Sequence, residues 1–351
     1  DQQVHASVQY PAKNMQLQGV SVSVIRHNNM EELELAIINK LPHARRIWYM
    51  ADGIYSMYGD FAPLEKLELL LAKYPKLHLY IDDAHGMSWT GKSGRGFVLS
   101  QMKLHPRMIV GTSFAKGFGS GGGAFVFHDA ALCQKVRNCG GPLIFSGPNQ
   151  IPVVAASIAS AKIHLSDEIT VRQDELKRKL LYCHQLMMDY QLPVISNPET
   201  PIKFVGLGLP RVGYNLVKKM MTSGFYCNLA IFPAVPETCT GLRFTITWHH
   251  TDEDIERLIS ALAYHLPAAL AEEDRTMNDI YRAFRKSIFI PKEPDEEKVM
   301  ATYRLQHETT IKAIPESLWN RYLGKNSCFD WSWINFLEAT FKNNELLENN
   351  W

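Results

Sequence analysis

The 351-residue chain carries 37 Lys and Arg against 36 Asp and Glu, for a formal net charge of +1, with 46% hydrophobic and 21% charged residues. That balance suits a soluble globular protein of two or three domains and gives no electrostatic basis for binding nucleic acid or an anionic membrane surface. The six cysteines (Cys133, Cys139, Cys183, Cys227, Cys239 and Cys328) are scattered without Cys-x-x-Cys pairs or zinc spacing, and no signal peptide or membrane-length apolar run is evident, so a cytoplasmic protein is expected.

Three segments have the pattern of buried strands, each ending in polar or reactive residues. Ile47-Trp48-Tyr49-Met50-Ala51 ends in Asp52-Gly53, and Leu77-His78-Leu79-Tyr80-Ile81 ends in Asp82-Asp83-Ala84-His85. Arg107 to Thr112 runs into Ser113-Phe114-Ala115-Lys116. Near-continuous apolar runs of this length suit a sheet covered on both faces. Helical patterns at 64–74 and around 98–104 separate the strands, which implies parallel pairing through crossovers. A fourth strand is expected at 122–127, followed by helices over 150–165 and 166–190. Residues 194–265 alternate short strands (203–207, 242–247) with helices (214–223, 252–265), and Thr251 is placed as an N-cap before the acids Asp252 and Glu253.

A charged, proline-marked stretch at 290–298 has the composition of a linker. Beyond it a strand is expected at 303–311, then a helix opening at Pro315 and stopping at Gly324, and another at 331–341. The expected organisation is a large domain over 1–165, a smaller α+β domain over 166–273, a helix and linker over 274–302, and the start of a further domain over 303–351.

In an open parallel sheet, ligands collect beyond the carboxyl ends of the strands. Here those ends carry Asp52, Asp82 with His85, and Lys116. A lysine amine for a Schiff base and a carboxylate for a pyridine nitrogen are what pyridoxal 5'-phosphate requires of a protein, together with a flat group on the ring and amides or hydroxyls for the phosphate. Gly117-Phe118-Gly119-Ser120-Gly121-Gly122-Gly123 after Lys116 lets backbone approach a ligand closely. The same glycines mimic a dinucleotide loop, but they lead into a strand and no acid follows about twenty residues on. Asp82-Asp83 could suggest a metal pair, yet only His85 lies near and no second ligand cluster appears, so no metal is expected.

Four segments then resemble one family, the alpha-oxoamine synthases, in order and at family spacing over residues 1 to about 270. Asp1-Gln2-Gln3-Val4-His5-Ala6-Ser7 is similar to its D-x-x-x-HAS segment. Asp52-Gly53-Ile54-Tyr55-Ser56-Met57-Tyr58-Gly59-Asp60-Phe61-Ala62-Pro63-Leu64 is similar to its (D/E)G-x-(F/Y)-S-M-x-G-D-x-A-P-L segment. Asp82-Asp83-Ala84-His85-Gly86 with Gly91-Lys92-Ser93-Gly94-Arg95-Gly96 resembles DDAHG followed by G-x-x-GRG, and Thr112-Ser113-Phe114-Ala115-Lys116-Gly117 resembles (T/S)-x-x-KG.

The resemblance implies an α/β chain of the pyridoxal-phosphate-dependent transferase fold type I, with a mostly parallel large-domain sheet lacking its N-terminal part and a smaller α+β C-terminal domain. It implies a homodimer that joins an amino acid to an acyl-CoA with loss of carbon dioxide. By the same resemblance, His5 would stack on the cofactor ring and Asp82 would pair with its nitrogen. His85 would hydrogen-bond the ring oxygen, Ser113 would touch the phosphate, and Lys116 would carry the Schiff base, sharing proton handling with His85. Arg243 would grip the amino acid carboxylate, with Asp52 and Ser56 lining the site. Phe145-Ser146-Gly147-Pro148 matches the family's serine/threonine-rich segment only in part, and Ala234 stands where several members place a threonine. The region of Pro315-Glu316-Ser317-Leu318-Trp319-Asn320 faintly resembles the start of an acetyltransferase-like domain. Two rival expectations are another fold-type-I pyridoxal enzyme, such as an aminotransferase, and a catalytically impaired piece of a larger two-function protein.

Overall fold

The computed structural model describes residues 1–284, 311–317, 319, 331, 332 and 335. It divides into two compact units, Asp1–Pro291 and Lys292–Trp351. In the second unit Ile311–Ala313 form a short 3-10 turn with Ile311 buried, and Trp331 Nε1 donates to the Ile314 carbonyl at 2.9 Å. The expected linker at 290–298 lies outside the described residues, as do the strand at 303–311 (apart from Ile311) and most of the helices at 315–324 and 331–341.

The first unit opens with helices α1 (Ala6–Gln16) and α2 (Met30–Lys40). Then follow β1 (Ile47–Asp52), α3 (Leu64–Lys73), β2 (Leu77–Asp82), α4 (Phe97–Gln101), β3 (Met108–Ser113) and β4 (Gly123–Phe127). The strands form one sheet in the order β1-β2-β3-β4. The first three are parallel because α3 and α4 supply the crossovers, whereas the short 114–122 loop returns β4 antiparallel. Leu77, Leu79 and Ile81 of β2 are fully buried beneath Ile37 of α2 and Leu67 and Leu71 of α3. Each such side chain contributes roughly 1.5–3 kcal/mol by leaving water. The opposite face differs from the two-sided cover expected. There His78, Tyr80 and Asp82 are half-buried, and Trp48 and Phe125 are 38% and 50% exposed. The alternation Leu-His-Leu-Tyr-Ile-Asp accounts for this, since a period of two sorts apolar and polar side chains to opposite faces.

After β4 come α5 (Ala130–Cys139), α6 (Gly141–Ile144), α7 (Ile151–His164) and α8 (Glu168–Asp189). A second core is built from β5 (Ile202–Gly208), α9 (Pro210–Thr222), β6 (Asn228–Ala230), β7 (Thr240–Thr245), α10 (Asp252–Ala271) and α11 (Met277–Phe284). Its sheet is antiparallel in the order β5-β7-β6. Thr251 caps α10 in a reciprocal capping box with Asp254. This helix runs six residues past the expected end at His265, through Pro267. Burial of Leu266, Ala269 and Leu270 on the same stripe offsets the hydrogen bond that the proline removes. The chain following β1 crosses to this second core, where Met57 and Tyr58 pack against it. Gly59 there has no room for a Cβ, which would lie 2.7 Å from Thr200 Cγ2.

Candidate active site

Strand register aligns Asp52 of β1, Asp82 of β2, Gly111 of β3 and Phe125 of β4 in one row across the first sheet. Gly111 has no room for a side chain in that row, because a Cβ there would stand 2.8 Å from Tyr80 Oη and 3.2 Å from Phe125 Cε1, which close over the strand. A cavity of about 320 Å³ lies beside them, lined by His5, Asp82, Ser113 and Lys116 among others. Four of the residues expected at the site thus share one space. Its size is within the ordinary range for small-molecule sites.

Each of these side chains is oriented by its local structure. Asp82 Oδ1 accepts the Ala84 N–H at 3.0 Å, which fixes the carboxylate at the strand end. His5 caps the start of α1, and its Nδ1 accepts the Ser7 N–H at 3.3 Å and meets Ser7 Oγ at 2.8 Å. Nδ1 is therefore an acceptor, and the ring proton sits on Nε2. The His5 backbone N–H donates to Asp52 Oδ1 at 3.0 Å, so Asp52, only 2% exposed, holds the segment that carries His5. Burial pushes the Asp52 carboxyl up to about 7, with the Asp82 charge acting in the same sense and the His5 N–H and Lys116 opposing it. Ser113 Oγ accepts the Ala115 N–H at 3.2 Å.

Lys116 stands in the loop that joins β3 to β4. Desolvation holds its amine below the ordinary lysine value; Asp82 and Asp52 pull it upward and Arg243 presses it down. Burial drives His85 down to about 3, aided by the positive charges of Lys116 and Arg243 and by His5, so its imidazole is neutral at neutral pH. Its carbonyl accepts Trp89 Nε1 at 2.5 Å. Arg243 lies on β7, the central strand of the second sheet, and burial lowers its pKa. Its Nε donates to the Ser56 carbonyl at 2.8 Å, leaving the terminal fork without an ion-pair partner among the described residues. Ser56 therefore enters through its backbone and does not line the cavity.

Asp83, beside Asp82 but on the other face, is a residue whose role sequence reasoning missed. Its Oδ2 accepts the Val98 N–H at 3.0 Å, and burial pushes the carboxyl up to about 7. Gly53, Gly86 and Gly96 surround it so closely that a Cβ on any of them would collide with its carboxyl group. Gly96 is also bound to glycine by its φ of +96°. The glycines visible in the motifs are thus a cage around one carboxylate. Tyr80 and Phe125 were missed as well; the available signal was the two-residue spacing that puts Tyr80 on the same face as Asp82.

Residues 3–262 match the family model described as aminotransferase class I and II. The chain is 30% identical over 261 residues to an 8-amino-7-oxononanoate synthase of Alkaliphilus oremlandii (strain OhILAs), covering 74% of this chain and 64% of that protein. It is 28% identical over 236 residues to the mitochondrial 2-amino-3-ketobutyrate coenzyme A ligase of Bos taurus, covering 67% and 55%. The chain therefore spans less than two thirds of the length of these relatives. Among solved structures, a serine palmitoyltransferase from S. paucimobilis matches with a TM-score of 0.67 at 24% identity, covering 76% of this chain and 65% of that one. The Sphingomonas wittichii serine palmitoyltransferase matches with a TM-score of 0.63 at 25% identity, covering 69% and 60%. The fold over the matched part is that of these type I enzymes, and the chain belongs to the aminotransferase class I and II family, within which it is similar to the alpha-oxoamine synthases.

Proposed function

We propose that the chain binds pyridoxal 5'-phosphate and acts as an acyl-CoA:amino acid C-acyltransferase. In this reaction the amino acid α-carbon gives up its proton and bonds to the acyl carbon while the thioester C–S bond breaks. CoA leaves as the thiol, carbon dioxide is lost, and the α-carbon takes up a proton. The observation that carries this reading is that Lys116 and Asp82, an amine and an acid from adjacent strand ends, line one cavity with His5 and Ser113. That donor set fits the cofactor. Asp82 would hold the ring nitrogen, His5 a ring face, His85 the ring oxygen, and Ser113 the phosphate. When bound, the cofactor supplies an electron sink that lets the amino acid α-carbon act as a nucleophile.

The chain's own residues perform the remaining tasks. Lys116 must present a neutral Nζ, and the desolvation that lowers its pKa favours that form. The imidazole of His85, kept neutral by burial and by the nearby charge of Lys116, is suited to hydrogen-bond the ring oxygen, and it does not store a proton. Arg243, whose fork has no ion-pair partner among the described residues, is suited to the amino acid carboxylate in a bidentate pair. Asp52 orients His5 through the backbone N–H. The similarity to an oxononanoate synthase and a ketobutyrate CoA ligase supports the reaction class. A cytoplasmic homodimer is part of the proposal. No helix among the described residues is long and apolar enough to cross a membrane. Large apolar side chains around α7, including Phe145 at 90% and Ile151 at 85% exposure, offer a surface for a second subunit.

The test is a screen for free CoA, supplying the cofactor with glycine, alanine or serine against short and long acyl-CoAs. Amino-acid-dependent release of CoA from at least one pair is expected. Amino-group exchange with a 2-oxo acid, without CoA release, would favour an aminotransferase instead.

A further inference from the structure

Helix α7 is apolar around most of its circumference, but Ser157, Ser160 and His164 fall on one stripe at spacings of three and four. That stripe faces the glycine-rich loop that carries Lys116. Ser120 Oγ donates to the Val153 carbonyl at 2.9 Å and lies 2.7 Å from Ser157 Oγ. Ser160 Oγ donates to the Phe118 carbonyl at 2.6 Å. Among the described residues, the hydrogen bonds that tie residues 116–121 to another element all come from α7. Without them, four glycines in seven residues (Gly117, Gly119, Gly121 and Gly122 within 116–122) would leave the loop free to sample many conformations.

His164 closes the arrangement and is 7% exposed. Its Nδ1 donates to the Ser160 carbonyl at 2.8 Å, which leaves Nε2 to accept from Ser88 Oγ at 2.8 Å. Its ring packs on Phe118 with centroids 4.7 Å apart. The fit on the other side is equally close, since a Cβ on Gly94 would stand 2.5 Å from His164 Cδ2. Ser88 belongs to the turn that follows His85, and Gln173 of α8 donates to its carbonyl at 2.9 Å. The two loops also touch directly, because a Cβ on Gly117 would lie 2.9 Å from the Met87 carbonyl oxygen. One histidine therefore contacts both the loop that carries Lys116 and the turn that follows His85.

We propose that His164 is a positioning residue for Lys116, fixing the 116–121 loop against the 85–94 turn through Phe118, Ser160 and Ser88. It does not line the cavity, and it acts through the place it gives to another residue. The inference rests on the reading of Lys116 as the working amine only for what the positioning serves. The arrangement itself belongs to the protein without cofactor or substrate.

The experiment is competitive acetylation of the ligand-free chain with acetic anhydride from neutral to alkaline pH. Lys116 is followed by mass spectrometry, and exposed lysines elsewhere serve as the internal reference. Around the Lys116 amine stand Asp82, Asp52, Arg243 and His85, and desolvation is the largest influence on its proton affinity. His164→Phe keeps a ring against Phe118 and removes both hydrogen bonds. A loosened loop solvates the amine, so the Lys116 labelling midpoint is expected to rise by about half a pH unit or more, roughly a threefold drop in neutral amine near neutrality. His164→Gln, which retains an acceptor for Ser88, is expected to recover most of that shift. The reference lysines are expected to keep their midpoints. An unchanged Lys116 midpoint in folded His164→Phe overturns the proposal. If that variant does not fold, Ser160→Ala takes its place, with the same upward shift expected and the same null result overturning it. Absence of CoA release by the unsubstituted protein would remove the catalytic reading and leave this shift untouched.

Discussion

Lys116→Ala is expected to lower amino-acid-dependent CoA release by about a thousandfold or more, as removal of a nucleophile does. Stability should barely change, with the thermal midpoint moving by no more than about 2 °C. The reason is local. Lys116 sits on an exposed stretch of loop, and among the described residues no hydrogen bond or ion pair of its amine enters the fold's framework. Removing it leaves the α7 contacts to Phe118 and Ser120 in place. Loss of activity accompanied by unfolding would instead mean that the lysine is structural. Circular dichroism and a coupled thiol assay on the same preparation separate the two.

Asp82→Asn is expected to have the next largest effect. The amide keeps the shape of the side chain and can keep the acceptor for the Ala84 N–H. It cannot supply the negative charge that holds a proton on a ring nitrogen. Losing a charge-assisted contact in a partly buried site costs on the order of 3 kcal/mol, or about a hundredfold in rate. Cofactor affinity should fall together with the rate, measured by equilibrium dialysis. A second consequence has a definite sign. Asp82 raises the pKa of Lys116, so the lysine in Asp82→Asn should deprotonate at lower pH than in the unsubstituted protein. An Asp82→Asn protein with full activity and affinity would place the ring nitrogen elsewhere.

Much of the fold is legible in the sequence where apolar runs meet polar ends. β1, β2 and β3 fall where Ile47, Leu77 and the Arg107–Thr112 segment lead one to expect them, because a hydrophobic strand followed by Asp or Ser marks both an element and its end. Thr251 is legible as a cap for the same local reason. Other elements carry weaker local signals. α1 contains Pro11, and β6 spans only three residues, too few for a periodic pattern. The end of α10 was misplaced because Pro267 is a local stop signal, whereas the apolar stripe that outweighs it is a tertiary fact.

The site divides along the same line. His5, Asp82, Ser113 and Lys116 stand within short motifs, and they share a cavity. The contacts that orient the neighbouring groups are long-range. His5 meets Asp52 across 47 positions, Arg243 meets Ser56 across 187, and His164 meets Ser88 across 76. No local pattern encodes such pairs. The glycines around Asp83 show the same limit, since their spacing is visible and their common target is not. Period-two alternation also marks Tyr80 as sharing a face with Asp82, yet Phe125 joins them only through the register of β3 and β4.

The most direct measurement is chemical trapping. The chain is incubated with pyridoxal phosphate, reduced with borohydride, digested and mapped by mass spectrometry. Stoichiometric modification at Lys116, lost in Lys116→Ala and weakened in Asp82→Asn, is the expected result. Labelling spread over surface lysines with Lys116 unmodified would contradict the assignment of amine and acid to one ligand.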